Sequence, residues 1–593
     1  MGGISSLDTN AQERIKDTAR VVLETFLKQY VRAYGRVLLQ HARLKEEDRK
    51  RFELAAAGKL ESSTMPLLET YRLQERPKFL SRCPLIEGKL TKQGVIHKSW
   101  KERHFVVRPD FCIEYYETDQ CYRLSQKPKG TIIPSGYIVN ANVQDAQRVR
   151  LTQLAGKMNS VQDDLPALAQ WPEFTFEIYH ERRRCYYISA STMEEKIKWV
   201  EVFRNAVRNN KNYAKTDPAS VAAFELAVTK CRQELGHWST WSFGGTEEEV
   251  LVDMVISDLE DTLLGDVYLG LKGSLANRLK TRQQLMARLV SMVTDSVNMI
   301  LEKMKAQEHM IHLETKDLLG QNMMAVDITD REMTAQLRDL ADELLIPWIG
   351  EHVVPVLPDM LKLLTEKVDA AFTEARYVFD SKIAGLFDAI RADKEPLVKN
   401  HHDLLCTLSF NYEEMHRVID KLKALEQILI GFREHFNDVQ PWRVIYSVQT
   451  RIMKVLDNAC YSYQDLVLKD LATAGDRSPP IAGLPVERLR LKEAMLVANT
   501  KIIGMLEDDS ELAAVEFYKE TFLSIIKPQV LRTIYHGVKP VTDSLNHSIP
   551  DSFRPVLFAS DLFEALLDGL IERRVDVVLD ALGKRVRLEF HRT

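Results

Sequence analysis

The chain has 593 residues, 45% of them hydrophobic and 28% charged, with a formal net charge of −5, which is room for about three to five domains with ordinary cores. An acidic balance ranks nucleic acid low among partners. Seven cysteines at 83, 112, 121, 185, 231, 406 and 460 include no Cys-x-x-Cys pair, which argues against a disulfide scaffold or zinc site and for a reducing, cytoplasmic setting, and no apolar run approaches the roughly 18 residues that span a bilayer.

The chain opens Met1-Gly2-Gly3-Ile4-Ser5-Ser6. Gly2, exposed after loss of Met1, with Ser6 in place, fits the N-myristoylation pattern. An unmodified terminus fits as well, and a single acyl chain anchors only marginally, so stable attachment needs a second signal. No secretory signal is recognisable. Residues 10 to 56 then read as helix. Ile15, Ala19, Val22, Leu23, Phe26, Leu27 and Tyr30 share one face, spaced for packing on the rest of the protein.

Residues 85–94 and 98–107 predict a β-hairpin. Leu90, Phe105 and Val107 take the apolar positions of half-buried strands. Lys92, Lys101 and Arg103 crowd its loop end. Lys101 and Arg103 are two apart, so on a strand they point the same way. Residues 82 to 108 hold seven Lys or Arg against two Glu, so the positive charge is local in an acidic chain. A solvated charged face is the ordinary fate of such a run. Clustered phosphates are the sharper reading, because Arg grips phosphate with a fork of donors and Lys supplies a compact charge.

Residues 111–117 predict a third strand and 127–134 a turn into a fourth. An interruption follows, from about Asp145 to Pro172. Residues 174–179 and 185–190 predict two more strands around a polar turn at 180–184. From Thr192 the spacing predicts an amphipathic helix, with Met193, Ile197, Trp199, Val200, Phe203, Ala206 and Val207 as its apolar positions and Thr192 as its cap. A run of strands closed by one Trp-bearing helix resembles a pleckstrin-homology (PH) domain. Within that resemblance the phosphoinositide-binding pattern calls for a Lys late in the first strand, and for a basic residue, any residue and an Arg early in the second. Lys92, Lys101 and Arg103 fit it. The resemblance adds Tyr115 on the third strand and Lys129 before the fourth as headgroup residues, and implies phosphoinositide or anionic membrane lipid as partner.

From about Asp217 onward the chain reads as almost wholly helical. Met286, Leu289, Val290, Val293, Val297, Ile300, Leu301 and Met304 keep helical spacing, as do Met415, Val418, Ile419, Leu422, Leu425 and Leu429. Such stripes are bundle seams, with Met as gap filler. Breaks fall at 236–245, 393–396, 437–441 and 475–485, the last a Pro/Gly-rich exposed loop. Pro347, Pro355 and Pro358 mark an irregular segment. No phosphate-cradling loop, His-Glu-x-x-His, nucleophile elbow or dinucleotide fingerprint is present. His401 and His402 are adjacent, so on a helix they diverge rather than share a metal. No cofactor is implied, and the expectation is a non-enzymatic protein.

The order of parts carries a further resemblance. The Met-Gly-Gly start, the helical leader, an interrupted PH domain with Trp100-Lys101-Glu102-Arg103 and a long helical body occur together. Trp238-Ser239-Thr240-Trp241, Glu374-Ala375-Arg376-Tyr377-Val378-Phe379 and Asn458-Ala459-Cys460-Tyr461-Ser462-Tyr463 also match. The whole is similar to the Niban family. The resemblance implies a cytoplasmic regulator that associates peripherally with the plasma membrane and has roles in stress response and cell survival. The Ser/Pro/Glu-rich tail of the animal members has no counterpart in these residues, so tail-dependent regulation is not carried over. The expected fold is α+β multidomain. It has a helical leader at 1–67, a PH-type β-barrel with a C-terminal capping helix at 68–212, an insertion near 145–172 and an all-α helical-bundle body at 213–593. The PH domain is expected to bind lipid and the body to bind signalling proteins. A purely protein-binding scaffold is the alternative.

Overall fold

A computed structural model describes residues 9–56, 72–74, 84, 86–94, 98–108, 111–158, 168–210, 217–238, 241, 243–392, 410, 412–436, 439–475 and 484–584. Gly2, His401, His402 and most of the 475–485 loop lie outside them. The chain forms two compact units. One takes 1–43, 84–326 and 550–557, and the other takes 44–83, 327–549 and 558–593.

The first unit holds a seven-stranded sheet in the order β4-β3-β2-β1-β7-β6-β5. The strands are β1 (Ile86–Gln93), β2 (Trp100–Val107), β3 (Ile113–Tyr116), β4 (Gly130–Ile132), β5 (Ile138–Asn140), β6 (Thr175–Tyr179) and β7 (Tyr186–Ser189), and every pairing is antiparallel. This is the expected PH-type architecture. Strand β5 and the one-turn helix α2 (Asp119–Arg123) had no sequence counterpart in the expectation.

Alternation fixes the inner face. Gly88, Leu90 and Lys92 of β1 stand opposite Phe105, Arg103 and Lys101 of β2. Leu90, Phe105 and Val107 are buried, with Phe176, Ile178 and Ile188 of the neighbouring strands. The capping helix, α4 (Met193–Asn209), closes the sheet. Thr192 accepts from the Glu195 N–H, as a cap should. Its Phe203 ring packs 5.7 Å from Phe176 and 6.2 Å from Phe105. Trp199 lies over Gly88, where a Cβ would sit 3.1 Å from the indole; the missing side chain makes room for it.

The 145–172 interruption contains a helix, α3 (Val143–Lys157), capped by Asn142. It carries no apolar stripe. An ion pair fastens it over the sheet: Arg150 donates to both carboxylate oxygens of the fully buried Glu177 at 2.6 and 3.1 Å, and Asn140 donates to Glu177 at 2.8 Å.

The helices of the same unit are α1 (Thr9–Ala56, counted here to residue 43), α5 (Pro218–Glu234), α6 (Glu247–Leu259), α7 (Gly265–Leu269) and the first part of α8 (Leu275–His352). A π-helical turn at Glu260–Leu264 joins α6 to α7. Their shared core includes Phe26, Tyr30, Phe224, Leu251, Val255, Leu289 and Val297. The expected faces of α1 and of 286–304 are thus seams of this core, with Leu27, Val290 and Leu301 at its edge. Asp217 caps α5 ahead of Pro218, and Thr246 and Glu249 form a capping box on α6.

The second unit is helical among its described residues: the end of α8, then α9 (Leu357–Ala392), α10 (Tyr412–Lys423), α11 (Leu425–Phe432), α12 (Pro441–Gly475), α13 (Leu484–Ser548) and α14 (Ala559–Ala581). Pro347 lies inside α8, and 353–356 break the chain before α9, as the proline spacing predicted. Phe379, Tyr463, Phe517, Tyr518 and Phe522 fill the core. Lys527 is held between Glu564 and Asp568 at 3.3 and 2.8 Å.

Candidate functional site

The basic end of the β1–β2 hairpin follows from strand register. Lys92 and Lys101 are direct partners across the hairpin, and Arg103 is the next residue on the same face of β2. In an antiparallel pair, opposite residues share a face, so the three cations converge on the inner face where the apolar residues end.

Lys92 is the most informative of them. It is 8% exposed. Its Nζ lies 4.9 Å from the centroid of the Tyr115 ring and 5.8 Å from that of Tyr186, and it donates to the Gln93 carbonyl at 3.4 Å, a long bond. Among the described residues no carboxylate pairs with it. Burial, and after it the positive charges of Arg184 and Arg103, lower its pKa to about 8. A buried ammonium facing other cations and two tyrosine rings is a charge waiting for an anion.

Lys101 is exposed and Arg103 half-buried. Arg103 Nη1 donates to the Glu102 carbonyl at 2.8 Å, leaving the rest of its fork available. Tyr115 is half-buried and lies over Gly130, its partner on β4. Lys129 is exposed at the rim and is ion-paired with Glu117 at 3.2 Å. The Lys129 hydrogen bond and charge, with smaller effects of Arg103 and Lys101, hold the Glu117 carboxyl below its ordinary value. Lys92, Lys101, Arg103 and Tyr115 are therefore brought together, while Lys129 stands beside them with a counter-ion of its own.

One cation of this group escaped the sequence reading. Arg184, assigned there to a polar turn, stands 4.7 Å from the centroid of the Tyr186 ring and is the first of the charges that depress Lys92. The signal was present in the alternation. Ile188 pairs with Lys92, so Tyr186 shares its face, and Arg184 is one step further out.

The same β6–β7 turn binds the sheet to the helices of its unit. Arg182 donates to Asp253 at 2.9 Å, and Arg183 reaches Asp253 and Glu249, both at 3.3 Å. Arg183 also donates to the Ser135 and Gly244 carbonyls, each at 3.0 Å. Glu181 accepts from Arg282 of α8 at 2.7 Å. Burial opposes the charge on Asp253, but the hydrogen bond from His180 and the guanidinium groups of Arg182 and Arg183 outweigh it and hold the carboxyl below its ordinary value. Gly136, at φ +82°, and Gly244 meet backbone to backbone: a Cβ on Gly244 would lie 2.4 Å from the Gly136 Cα, so neither position tolerates a side chain.

Among the described residues no three His, Cys, Asp or Glu side chains cluster as metal ligands, and no single helix is long and apolar enough to cross a membrane.

Comparison with known proteins agrees with this architecture. Residues 83–212 match the family described as "Protein Niban 2-like, PH domain", and residues 348–528 match "Protein Niban 2-like domain". The chain is 24% identical over 580 residues to a PH domain-containing protein of Dictyostelium discoideum, covering 97% of this chain and 100% of that one. It is 21% identical over 588 residues to Niban 1 of Mus musculus, covering 98% of this chain and 60% of that protein; it thus spans less than two thirds of that relative. The crystal structure of human Niban2 superposes with a TM-score of 0.80 at 19% identity, covering 98% of this chain and all of that one, a likeness of fold.

Proposed function

The chain belongs to the Niban family and carries a PH domain, and on that premise we propose that it is a non-enzymatic peripheral-membrane adaptor. Its PH domain binds a phosphoinositide headgroup through Lys92, Lys101, Arg103 and Arg184, with Tyr115 and Tyr186 lining the pocket. The observation that carries this reading is Lys92, a buried ammonium among cations that no described carboxylate neutralises. Fixed cations at strand ends attract the negative surface of a cytoplasmic leaflet, and paired phosphates on one headgroup satisfy several of them at once. Lys129 contributes on exchanging Glu117 for phosphate. The helical segments hold signalling proteins, and the stress-response and survival roles implied by the family are part of the same reading. If Gly2 is acylated, the chain gains the second anchor that a single myristoyl group needs.

The test is co-sedimentation of the full chain with liposomes across a phosphoinositide panel, alongside the Lys101→Glu/Arg103→Glu chain. Lipid-selective binding that the charge-reversed chain loses, and that weakens with salt, supports the adaptor. Equal binding by both chains, or none by either, replaces it with a scaffold whose PH domain engages only protein.

A further inference from the structure

Met193 and Ile197 read in the sequence as part of one apolar face of α4, yet they are 55% and 56% exposed, while Trp199, Phe203 and Ala206 are buried. The helix therefore carries two apolar stripes. One packs on the sheet. The other runs from the exposed Met193 and Ile197 to the buried Val200 along a groove of about 500 Å³, also lined by Ala141 to Gln144, ahead of and into α3, and by Trp171 to Glu173, ahead of β6. The volume is that of a ligand pocket. More than half of Met193 and of Ile197 faces solvent, so the groove is open along this part of α4 and suits a chain passing through it.

The lining of this groove carries donors without acceptors. Lys196 lies between Met193 and Ile197 on the same stripe and has no ion-pair partner among the described residues; burial alone depresses its pKa. The Trp171 indole N–H and the hydroxyl of Thr175, which is 3% exposed, are buried with no hydrogen-bond partner. An indole and an ammonium can only donate, and buried donors without acceptors are costly. Of the two carboxylates on the lining, Glu201 is held by Arg204 at 2.9 Å and Glu173 is exposed. The groove thus offers apolar surface beside donors that lack acceptors.

We propose that this groove captures a short linear segment of a partner protein that presents an apolar side chain next to a carboxylate. The apolar group lies on Met193 and Ile197, and the carboxylate is taken by Lys196. None of the headgroup residues lines the groove, so the proposal stands apart from the lipid reading.

The test uses the full chain and a display library of random dodecapeptides, followed by fluorescence anisotropy with the enriched peptides. The expected consensus places Leu, Ile, Met or Phe beside Asp or Glu. Affinity should fall at least about tenfold in Lys196→Glu and in Ile197→Asp, and stay unchanged in Lys101→Glu/Arg103→Glu. Replacing the peptide's carboxylate by Lys should restore binding to Lys196→Glu, a rescue that a misfolded variant does not give. No enrichment, a basic consensus, or peptides indifferent to both groove variants would overturn the proposal. Sedimentation showing that the wild-type chain self-associates and Ile197→Asp does not would also overturn it, in favour of a second copy as occupant.

Discussion

Replacing Lys92 by Met should make the fold more stable and the protein worse at binding anionic lipid. A lysine whose pKa falls from 10.5 to about 8 is held in its charged form at a cost of roughly 3 kcal/mol, at about 1.4 kcal/mol per tenfold. The rings of Tyr115 and Tyr186 offset about 1 to 2 kcal/mol of this by cation–π attraction. Met has a similar unbranched length and no charge to desolvate, so Lys92→Met is expected to gain about 1 to 2 kcal/mol at pH 7. The folded pKa lies below the unfolded one, so between pH 8 and 10.5 the unfolded chain binds more protons and wild-type stability rises with pH. The advantage of Met is therefore full below about pH 8 and gone by about pH 10.5. Amide exchange in peptides covering 86–107, followed in the full chain at pH 7 and pH 10, reads this locally, which suits a chain of two units better than a single melting temperature. Liposome co-sedimentation reads the lost binding. Faster exchange at pH 7 in the Met variant would refute the reasoning, since it would mean that the ammonium is compensated in the unliganded fold. Undiminished lipid binding by a stabilised variant would refute the role assigned to the charge.

Three further outcomes are expected. Wild-type affinity for phosphoinositide liposomes should begin to fall as pH climbs through about 8, where unliganded Lys92 loses its proton, and Lys92→Met should lack that fall in a sedimentation series from pH 6.5 to 9.5. Gly130→Val should weaken lipid binding severalfold with the sheet intact, because a Cβ there lies 2.3 Å from the Tyr115 hydroxyl and displaces the ring; binding equal to wild type would remove Tyr115 from the pocket wall. Asp253→Ala should cost about 3 kcal/mol by leaving Arg182 and Arg183 short of their shared carboxylate, seen as faster amide exchange at 180–185 and 247–259 while β1 to β4 keep their protection; uniform acceleration would argue against a local clamp.

The strands that build the site were legible because their side chains alternate cleanly and because a short hairpin leaves little freedom of register. That is why the sequence alone places Lys92, Lys101 and Arg103 together. Arg184 was not legible as a partner: a turn residue's face depends on the register of the strand that follows, and only the pairing of Ile188 with Lys92 settles it. The Lys129–Glu117 pair depends on two exposed side chains meeting, which spacing does not dictate. Helix α3 lacks the apolar stripe from which helices are read, since its hold on the sheet is the Arg150–Glu177 ion pair. Met193 and Ile197 were misplaced for the opposite reason. Helical spacing shows that residues share an element, and when two faces are apolar it cannot say which one is covered.

The β6–β7 turn joins the charges of the pocket to those that hold the helices. Arg184 faces Lys92 and Tyr186, while His180, Arg182 and Arg183 face Asp253, and Arg183 also reaches Glu249. Opening the second set would strand two guanidinium groups and a carboxylate in a largely buried seam, at several kcal/mol, and the backbone contact of Gly136 with Gly244 would open with it. On the proposed reading a headgroup phosphate would engage Arg184 from the pocket side and supply nothing to Arg182 or Arg183, so headgroup binding would have no differential interaction with which to drive that opening. Helices α5 and α6 should therefore travel with the sheet as one body. An anionic surface that oriented the cations of the β1–β2 hairpin, as proposed, would then fix the direction in which those helices face as well, and a partner docked on them would meet the membrane at a set angle rather than on a flexible tether.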